Sequence, residues 1–180
     1  LDHCGFIPKL VREGFRGRIY CTAATNEITQ ITLLDTARIQ MEDAEFKRKR
    51  HEREGRKAPR PEVPLYTTDD AEASFPYLSS VKYGEAVRLG DGVEATFHDA
   101  GHVLGSAMIK LKVQQDNQER IIIFSGDVGR HGKPILREPT LFEEADYVLV
   151  ESTYGDRVLE PLEKTGRQFA EDINDTVKRG

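Results

Sequence analysis

The sequence predicts an α/β fold, and three observations support that class. Short apolar segments at 93–97, 107–113 and 147–150 are typical of strands. Segments at 6–14 and 25–39 instead repeat their apolar residues at helical spacing. A length of 180 residues, of which 38% are hydrophobic and 32% charged, suits one globular domain with a sizeable core.

The N-terminal part is predicted to contain a short helix, a strand and a longer helix. The first helix covers residues 6–14, where Gly14 is a natural C-terminal stop. Residues 18–22 are predicted to form a strand. Thr25 is predicted to open the second helix, whose apolar side carries Ile28, Ile31, Leu34 and Ile39.

Residues 41–57 lose the apolar face and become highly charged. The simpler interpretation is a solvated helix with ion pairs at i,i+4 spacing. The alternative is a basic arm that contacts phosphate groups. Prolines at 59, 61 and 64 predict an extended linker, so that 41–64 forms a charged insertion. The run at 68–70 resembles an N-cap for a helix that extends to about residue 78.

The C-terminal half is predicted to be rich in strands. Segments 86–89 and 93–97 form a hairpin across an Asp-Gly turn, and 107–113 pairs with 120–124 across a polar connection. A last strand at 147–150 precedes an amphipathic helix over 165–178.

Composition excludes several classes of protein. A net charge of −5 excludes a chain that is basic throughout, so any contact with a polyanion must be local or supplied by metal. Two cysteines provide no disulfide framework and fit a reducing cytoplasm. No apolar run approaches the roughly 20 residues of a membrane span, and no signal peptide is evident.

Five residues suited to metal chemistry lie on loops, at or just beyond the ends of predicted elements. They are Asp2, His3, His102, Asp127 and Glu151. A single loop histidine is more often a hydrogen-bonded residue than a ligand, but loops at one sheet edge collect binding residues. Two histidines and two carboxylates suit zinc, and an aspartate can bridge two ions.

Four motifs resemble those of a known family. Asp2-His3-Cys4-Gly5 resembles the end of the His-x-His-x-Asp-His metal motif of the metallo-β-lactamase fold. Ala100-Gly101-His102-Val103-Leu104-Gly105-Ser106-Ala107 is similar to its next histidine motif, in the form found in the β-CASP nucleases that process RNA. Ser125-Gly126-Asp127 resembles its bridging aspartate, and Glu151-Ser152-Thr153-Tyr154-Gly155 resembles the acidic motif that opens the β-CASP region. Since their order and spacing agree over essentially the whole chain, the sequence resembles polyadenylation-type endonucleases and bacterial and archaeal ribonucleases.

The resemblance implies a partial metallo-β-lactamase fold, an αββα sandwich, with two zinc ions. Asp2 and His3 would hold the second zinc, His102 the first, and Asp127 both. A hydroxide between the ions would attack phosphorus in RNA. Asp2 and Glu151 are the expected catalytic residues, with Glu151 orienting a ligand histidine. For Glu151 the alternative is a carboxylate that caps a turn.

Four further residues are expected to contact substrate. Ser106 follows the second histidine motif, and Arg130, His131 and Lys133 follow the bridging aspartate closely enough to reach a phosphate. A solvated loop is an equally good interpretation of the last three. His98 is predicted to pack or to cap rather than to bind metal.

The chain also departs from the family pattern. The His-x-His pair and the N-terminal strands are absent, and further histidines are expected in a β-CASP domain. Residues 1–155 are therefore expected to be part of a metallo-β-lactamase domain, and 156–180 the start of the connection into the β-CASP region. The chain alone is expected to be a metal-poor, inactive fragment of a ribonuclease.

Two other functions compete with this expectation: hydrolysis of a thioester or lactam on the same fold, and a non-catalytic scaffold for RNA processing. RNA is the expected partner, with no membrane association, a cytoplasmic location and a homodimer as a further expectation.

Overall fold

A computed structural model describes residues 2–57, 59–158 and 162–180. The chain divides into two compact units, residues 1–150 and 151–180. The elements of both units confirm the predicted α/β class. Among the described residues, no helix combines the length and the apolar character that a membrane span requires.

The first unit begins with two helices that flank a strand. Helix α1 is Ile7–Arg12, strand β1 is Ile19–Thr22, and helix α2 is Ala23–Glu54. Helix α2 begins at Ala23 rather than Thr25, with Thr22 as its N-cap, because the Thr22 hydroxyl accepts the Thr25 N–H at 3.2 Å. It continues without a break through the first part of the predicted charged insertion to Glu54 and is capped by Gly55, whose φ of 61° is left-handed.

A short helix and a strand follow the proline segment. Helix α3 is Thr68–Ser74, extended by a 3₁₀ turn over Phe75–Tyr77. Its N-cap is Thr67, one residue before the predicted run, and Thr67 and Asp70 form a reciprocal capping box. The prediction of a helix to residue 78 was wrong, because Leu78–Val81 forms strand β2, parallel to β1.

The main sheet contains five strands in the order β3-β4-β5-β6-β7. These are β3 Ala86–Gly90, β4 Val93–Asp99, β5 Ala107–Gln115, β6 Gln118–Phe124 and β7 Tyr147–Leu149. The first four run antiparallel and β7 runs parallel to β6. Both predicted hairpins are confirmed. The β5–β6 turn is tighter than expected, because Asp116 and Asn117 both adopt positive φ.

The core of the helical part lies between α2, α3 and the segment that precedes α3. Leu33, Ala37, Tyr66 and Ala71 are fully buried there. The predicted apolar side of α2 was wrong at Ile28, Ile31 and Ile39, which are 47–70% exposed, whereas Leu34 packs against the core. Leu33 and the smaller residues Thr29, Ala37 and Ala44 form the buried side of α2.

The second unit contains helix α4, Leu162–Arg179, which confirms the predicted C-terminal helix. Phe169, Ile173 and Val177 recur every four residues along it and are exposed. An apolar stripe of this kind is typical of a helix that packs against another surface.

Candidate metal centre

His102 lies in the loop between β4 and β5, and hydrogen bonds within this loop hold its backbone. The Ser106 hydroxyl accepts the N–H groups of His102 at 3.1 Å and of Val103 at 3.2 Å. The Gly101 N–H donates to the Asp99 carboxylate at 3.3 Å. The backbone around the imidazole is therefore fixed by side chains of the loop itself.

A second loop, which follows β6 and carries Asp127, packs directly on the first. The Gly129 N–H donates to the Ala100 carbonyl at 2.8 Å. A Cβ at position 129 would lie only 1.7 Å from the Gly101 carbonyl oxygen, so no larger residue fits. The Lys133 ammonium donates to the His102 carbonyl at 3.3 Å. Backbone contact thus sets the separation of His102 and Asp127.

Helix α2 also contacts the His102 loop. The hydroxyls of Thr22 and Thr25 each donate to the Gly105 carbonyl at 2.8 Å. The role of these threonines at the site was not predicted. Two hydroxyl residues at the start of a helix indicate an N-cap, but they do not indicate which distant part of the chain the hydroxyls contact.

Four predicted metal residues from three distant parts of the sequence meet at one place. His3 Nε2 lies 3.3 Å from Asp2 Oδ2 and 3.5 Å from Asp127 Oδ1. His102 Nε2 lies 3.8 Å from Asp127 Oδ2. Each oxygen of Asp127 therefore faces a different imidazole, which is the arrangement a bridging carboxylate needs.

These residues line one end of an otherwise apolar groove of about 440 Å³. Ile28 of α2 and Phe97 and Ile109 of the main sheet provide apolar walls. His3 and Asp2 remain 59% and 85% exposed at their side chains, whereas His102 and Asp127 are about 40% exposed. The polar cluster is open to a ligand and has a low-dielectric surface beside it.

The donor chemistry fits a divalent metal, because imidazole nitrogen and carboxylate oxygen are ligands that zinc accepts. The number of donors is smaller than a complete site needs. Across residues 2–57, 59–158 and 162–180, no group of three or more His, Cys, Asp or Glu side chains is arranged to hold one ion. Among the described residues, the donor side chains approach one another in pairs.

The loop that follows Asp127 is polar and basic. The His131 ring contacts the Glu138 carboxylate, and the Gly132 N–H donates to Glu138 at 2.9 Å. This backbone hydrogen bond, with His131, lowers the pKa of Glu138. Arg130 and His131 are exposed, and Lys133 is half-buried beside His102.

The surroundings of Ser106 and Asp2, two other residues of the predicted site, are also defined. The Ser106 hydroxyl is engaged with the backbone of its own loop, and its contact with substrate stays a prediction. A backbone hydrogen bond lowers the pKa of Asp2, and the adjacent His3 lowers it further.

His98 packs edge-on against Phe142 at 5.0 Å between ring centroids, which confirms that it is a packing residue. Burial lowers the pKa of His98, and Lys110 adds to that effect.

Glu151 follows β7 and opens the second unit. Its role in orienting a ligand histidine stays a prediction.

The metallo-β-lactamase superfamily domain model matches residues 4–145. The chain belongs to the metallo-β-lactamase superfamily. The match includes His102 and Asp127, which agrees with the family predicted from the motifs.

Named relatives extend the comparison. Over 180 residues the chain is 35% identical to Ribonuclease TTHA0252 of Thermus thermophilus, covering all of this chain and 36% of that protein. It is 33% identical over 184 residues to the transcription termination factor FttA of Methanocaldococcus jannaschii, covering 26% of that protein. An RNase J-like protein of the same organism is 29% identical and is covered over 36% of its length. The chain thus spans a quarter to somewhat over a third of these relatives.

Proposed function

We propose that this chain is part of a longer metal-dependent hydrolase that cleaves phosphodiester bonds in RNA. The observation that carries the proposal is the position of Asp127, whose two carboxylate oxygens face His3 and His102 separately. Relatives named as a ribonuclease and an RNase J-like protein support RNA as the substrate. Membership of the β-CASP family, based on the motif at 151–155, is part of the same proposal.

Asp2, His3, His102 and Asp127 would hold two divalent ions, with zinc as the expected metal. Such ions, when bound, supply Lewis acidity and lower the pKa of water toward neutrality. Asp127 presents one carboxylate oxygen to each imidazole, and the Asp2 carboxylate lies 3.3 Å from His3 Nε2. Lys133, beside the His102 carbonyl, places positive charge next to the site, where a substrate phosphate would be neutralised.

We also propose that this chain alone binds metal weakly and does not hydrolyse RNA. Catalytic zinc commonly has at least three protein ligands, and four donors with one shared do not complete two such sites. Zinc titration of the chain by calorimetry is expected to show weak binding below two ions per chain. Two tightly bound ions would contradict this proposal.

Cleavage of end-labelled RNA by the longer protein tests the main proposal. Zinc-dependent cleavage is expected, with a loss of at least about 100-fold in Asp127→Asn, since misplacing both imidazoles disturbs the whole site. Asp91→Asn is the matched control, because Asp91 lies in an exposed hairpin turn and pairs with Arg88. RNA binding without cleavage would indicate the scaffold, and thioester hydrolysis alone would indicate a different hydrolase.

The domain division at 155, the cytoplasmic location and the homodimer stay predictions.

A further inference from the structure

A strongly basic segment lies within an acidic chain. Residues 46–60 contain eight Lys or Arg and two Glu, a net charge of +6, whereas the whole chain carries −5. The remainder therefore carries −11. Positive charge concentrated in this way attracts a polyanion locally while the rest of the surface repels it.

The fold fixes this basic segment against a second piece of chain. After α2 ends at Gly55, the proline segment returns along the helix. The Leu65 N–H donates to Gln40 Oε1 at 2.9 Å, and His51 Nδ1 lies 2.6 Å from Glu62 Oε1. The basic side chains near the turn consequently border a groove between the end of α2 and the proline segment.

Six of the eight cations of this segment form two sets that differ in their contacts. Lys49, Arg50 and Arg56 pair with glutamates of α2 at 2.5–3.4 Å. Within the described part of the chain, Arg48, Lys57 and Arg60 make neither a hydrogen bond nor an ion pair within 4.0 Å, although Arg48 is near enough to Glu45 to help lower the pKa of that carboxyl. These three are exposed and line one groove of about 440 Å³, which we call the basic groove.

The remaining lining of the basic groove consists of Pro59, Pro61 and Glu62. The Glu62 carboxylate lies 2.6 Å from His51 Nδ1 and its side chain is only 14% exposed, and its single negative charge leaves the three cations in excess. Two arginine forks and one ammonium match the oxygens of phosphate groups. The lining offers little to read base identity, which favours recognition of the nucleic-acid backbone.

We propose that the basic groove binds the phosphate backbone of single-stranded RNA at a distance from the metal residues. This inference rests on the proposed function, because it assigns a second contact to the same substrate. An acidic protein is the competing occupant and is distinguished by the test below.

Helix α2 sets the distance between the two sites. Its start contacts the His102 loop through Thr22, and Arg48 lies 26 residues further along. At about 1.5 Å per residue this separation is about 39 Å. At about 3.4 Å per stacked nucleotide, an RNA must extend about a dozen nucleotides from the metal residues to reach the groove. Short RNAs cannot occupy both sites.

Fluorescence anisotropy tests the proposal on the longer protein carrying Asp127→Asn, so that RNA is bound and not cut. The groove variant combines Arg48→Gln, Lys57→Gln and Arg60→Gln. The matched control combines Lys49→Gln, Arg50→Gln and Arg56→Gln, which removes the same charge from paired cations. Circular dichroism establishes that both variants are folded.

Log affinity for RNA falls linearly with the logarithm of the salt concentration. For an RNA of about 30 nucleotides, the loss of three phosphate contacts should make this slope shallower by about 2. Between 0.1 M and 1 M salt, the affinity of the groove variant should therefore fall about 100-fold less than that of the protein with an intact groove. We expect the groove variant to lose at least fivefold more affinity for this RNA than the control does. A difference of that size corresponds to the loss of roughly one phosphate contact or more. An RNA of about 6 nucleotides is too short to contact both sites at once, so the affinity that the long RNA gains over it should fall at least fivefold more in the groove variant than in the control.

Equal losses in both variants for the long RNA, or an equal affinity gain of the long RNA over the short RNA in both variants, would overturn the proposal. So would selective loss of polyglutamate binding while RNA binding is kept. Failure of the proposed function is seen separately, as absence of cleavage by the protein that retains Asp127.

Discussion

Replacing Gly129 with alanine should separate the two loops that carry His102 and Asp127. The new Cβ would lie 1.7 Å from the Gly101 oxygen and 2.6 Å from the His102 nitrogen. Ordinary contact begins near 3.4 Å, so the backbones must move apart by about 1.7 Å. That movement also breaks the 2.8 Å hydrogen bond from Gly129 to Ala100.

Overpacking costs about 1–3 kcal/mol and the lost hydrogen bond about 0.5–1.5 kcal/mol, so Gly129→Ala should lower the free energy of unfolding by about 3 kcal/mol. Urea unfolding followed by circular dichroism measures this loss. Gly90→Ala is the matched control, because a Cβ there meets nothing within 4 Å. Its unfolding free energy should change by less than about 1 kcal/mol.

The same movement should weaken metal binding by the longer protein. His102 Nε2 and Asp127 Oδ2 are 3.8 Å apart, and ligands of one zinc ion must each approach to about 2.0–2.2 Å. Unfolding free energies of Gly129→Ala and Gly90→Ala within about 0.5 kcal/mol of each other would refute the close contact of the loops.

Three further perturbations test particular contacts. Thr67→Ala should lower the unfolding free energy by about 1 kcal/mol, while Thr67→Ser, which keeps the capping hydroxyl, should not; urea unfolding checks both. Partial burial raises the pKa of Asp70, but hydrogen bonds from Thr67 and Arg12 outweigh it and hold the pKa below its usual value. Stability from Asp70 is therefore complete above about pH 4 and lost as pH falls through the lowered pKa, so acid titration of Asp70→Asn should show a smaller loss. Ser106→Ala leaves the His102 N–H without its acceptor and should cost about 1–3 kcal/mol. Thermal unfolding measures this loss, with Ser80→Ala as the control because Ser80 is the exposed residue of β2 and its hydroxyl accepts a solvent-exposed hydrogen bond from Asn26.

Local patterns predicted the strands and turns of the main sheet because its pairings connect neighbours in sequence. The Asp-Gly step at 91–92 and the polar run at 114–119 each marked a hairpin. Strand β2 was missed because Leu78-Ser79-Ser80-Val81 has too few apolar residues to show a period. Only its parallel partner, β1, defines it as a strand.

The buried side of α2 was mispredicted for a related reason. Helical spacing identifies a stripe of isoleucines, but it does not say which side meets another element. Thr29, Leu33 and Ala37 are buried on that side, where Leu33 and Ala37 pack with Tyr66 and Ala71. At the site, motifs located the four residues proposed to bind metal, whereas the support from Thr22 and Gly129 depends on tertiary contacts that no local pattern contains.

The topology of the two sheets also sets an order of assembly. Strands β4, β5 and β6 are joined by short connections, so their pairing closes small loops and forms rapidly. Strands β1 and β2 pair Ile19 with Leu78, 59 positions apart, which is slow by comparison. We therefore expect His102 and Asp127 to reach their positions before the N-terminal residues Asp2 and His3 join them.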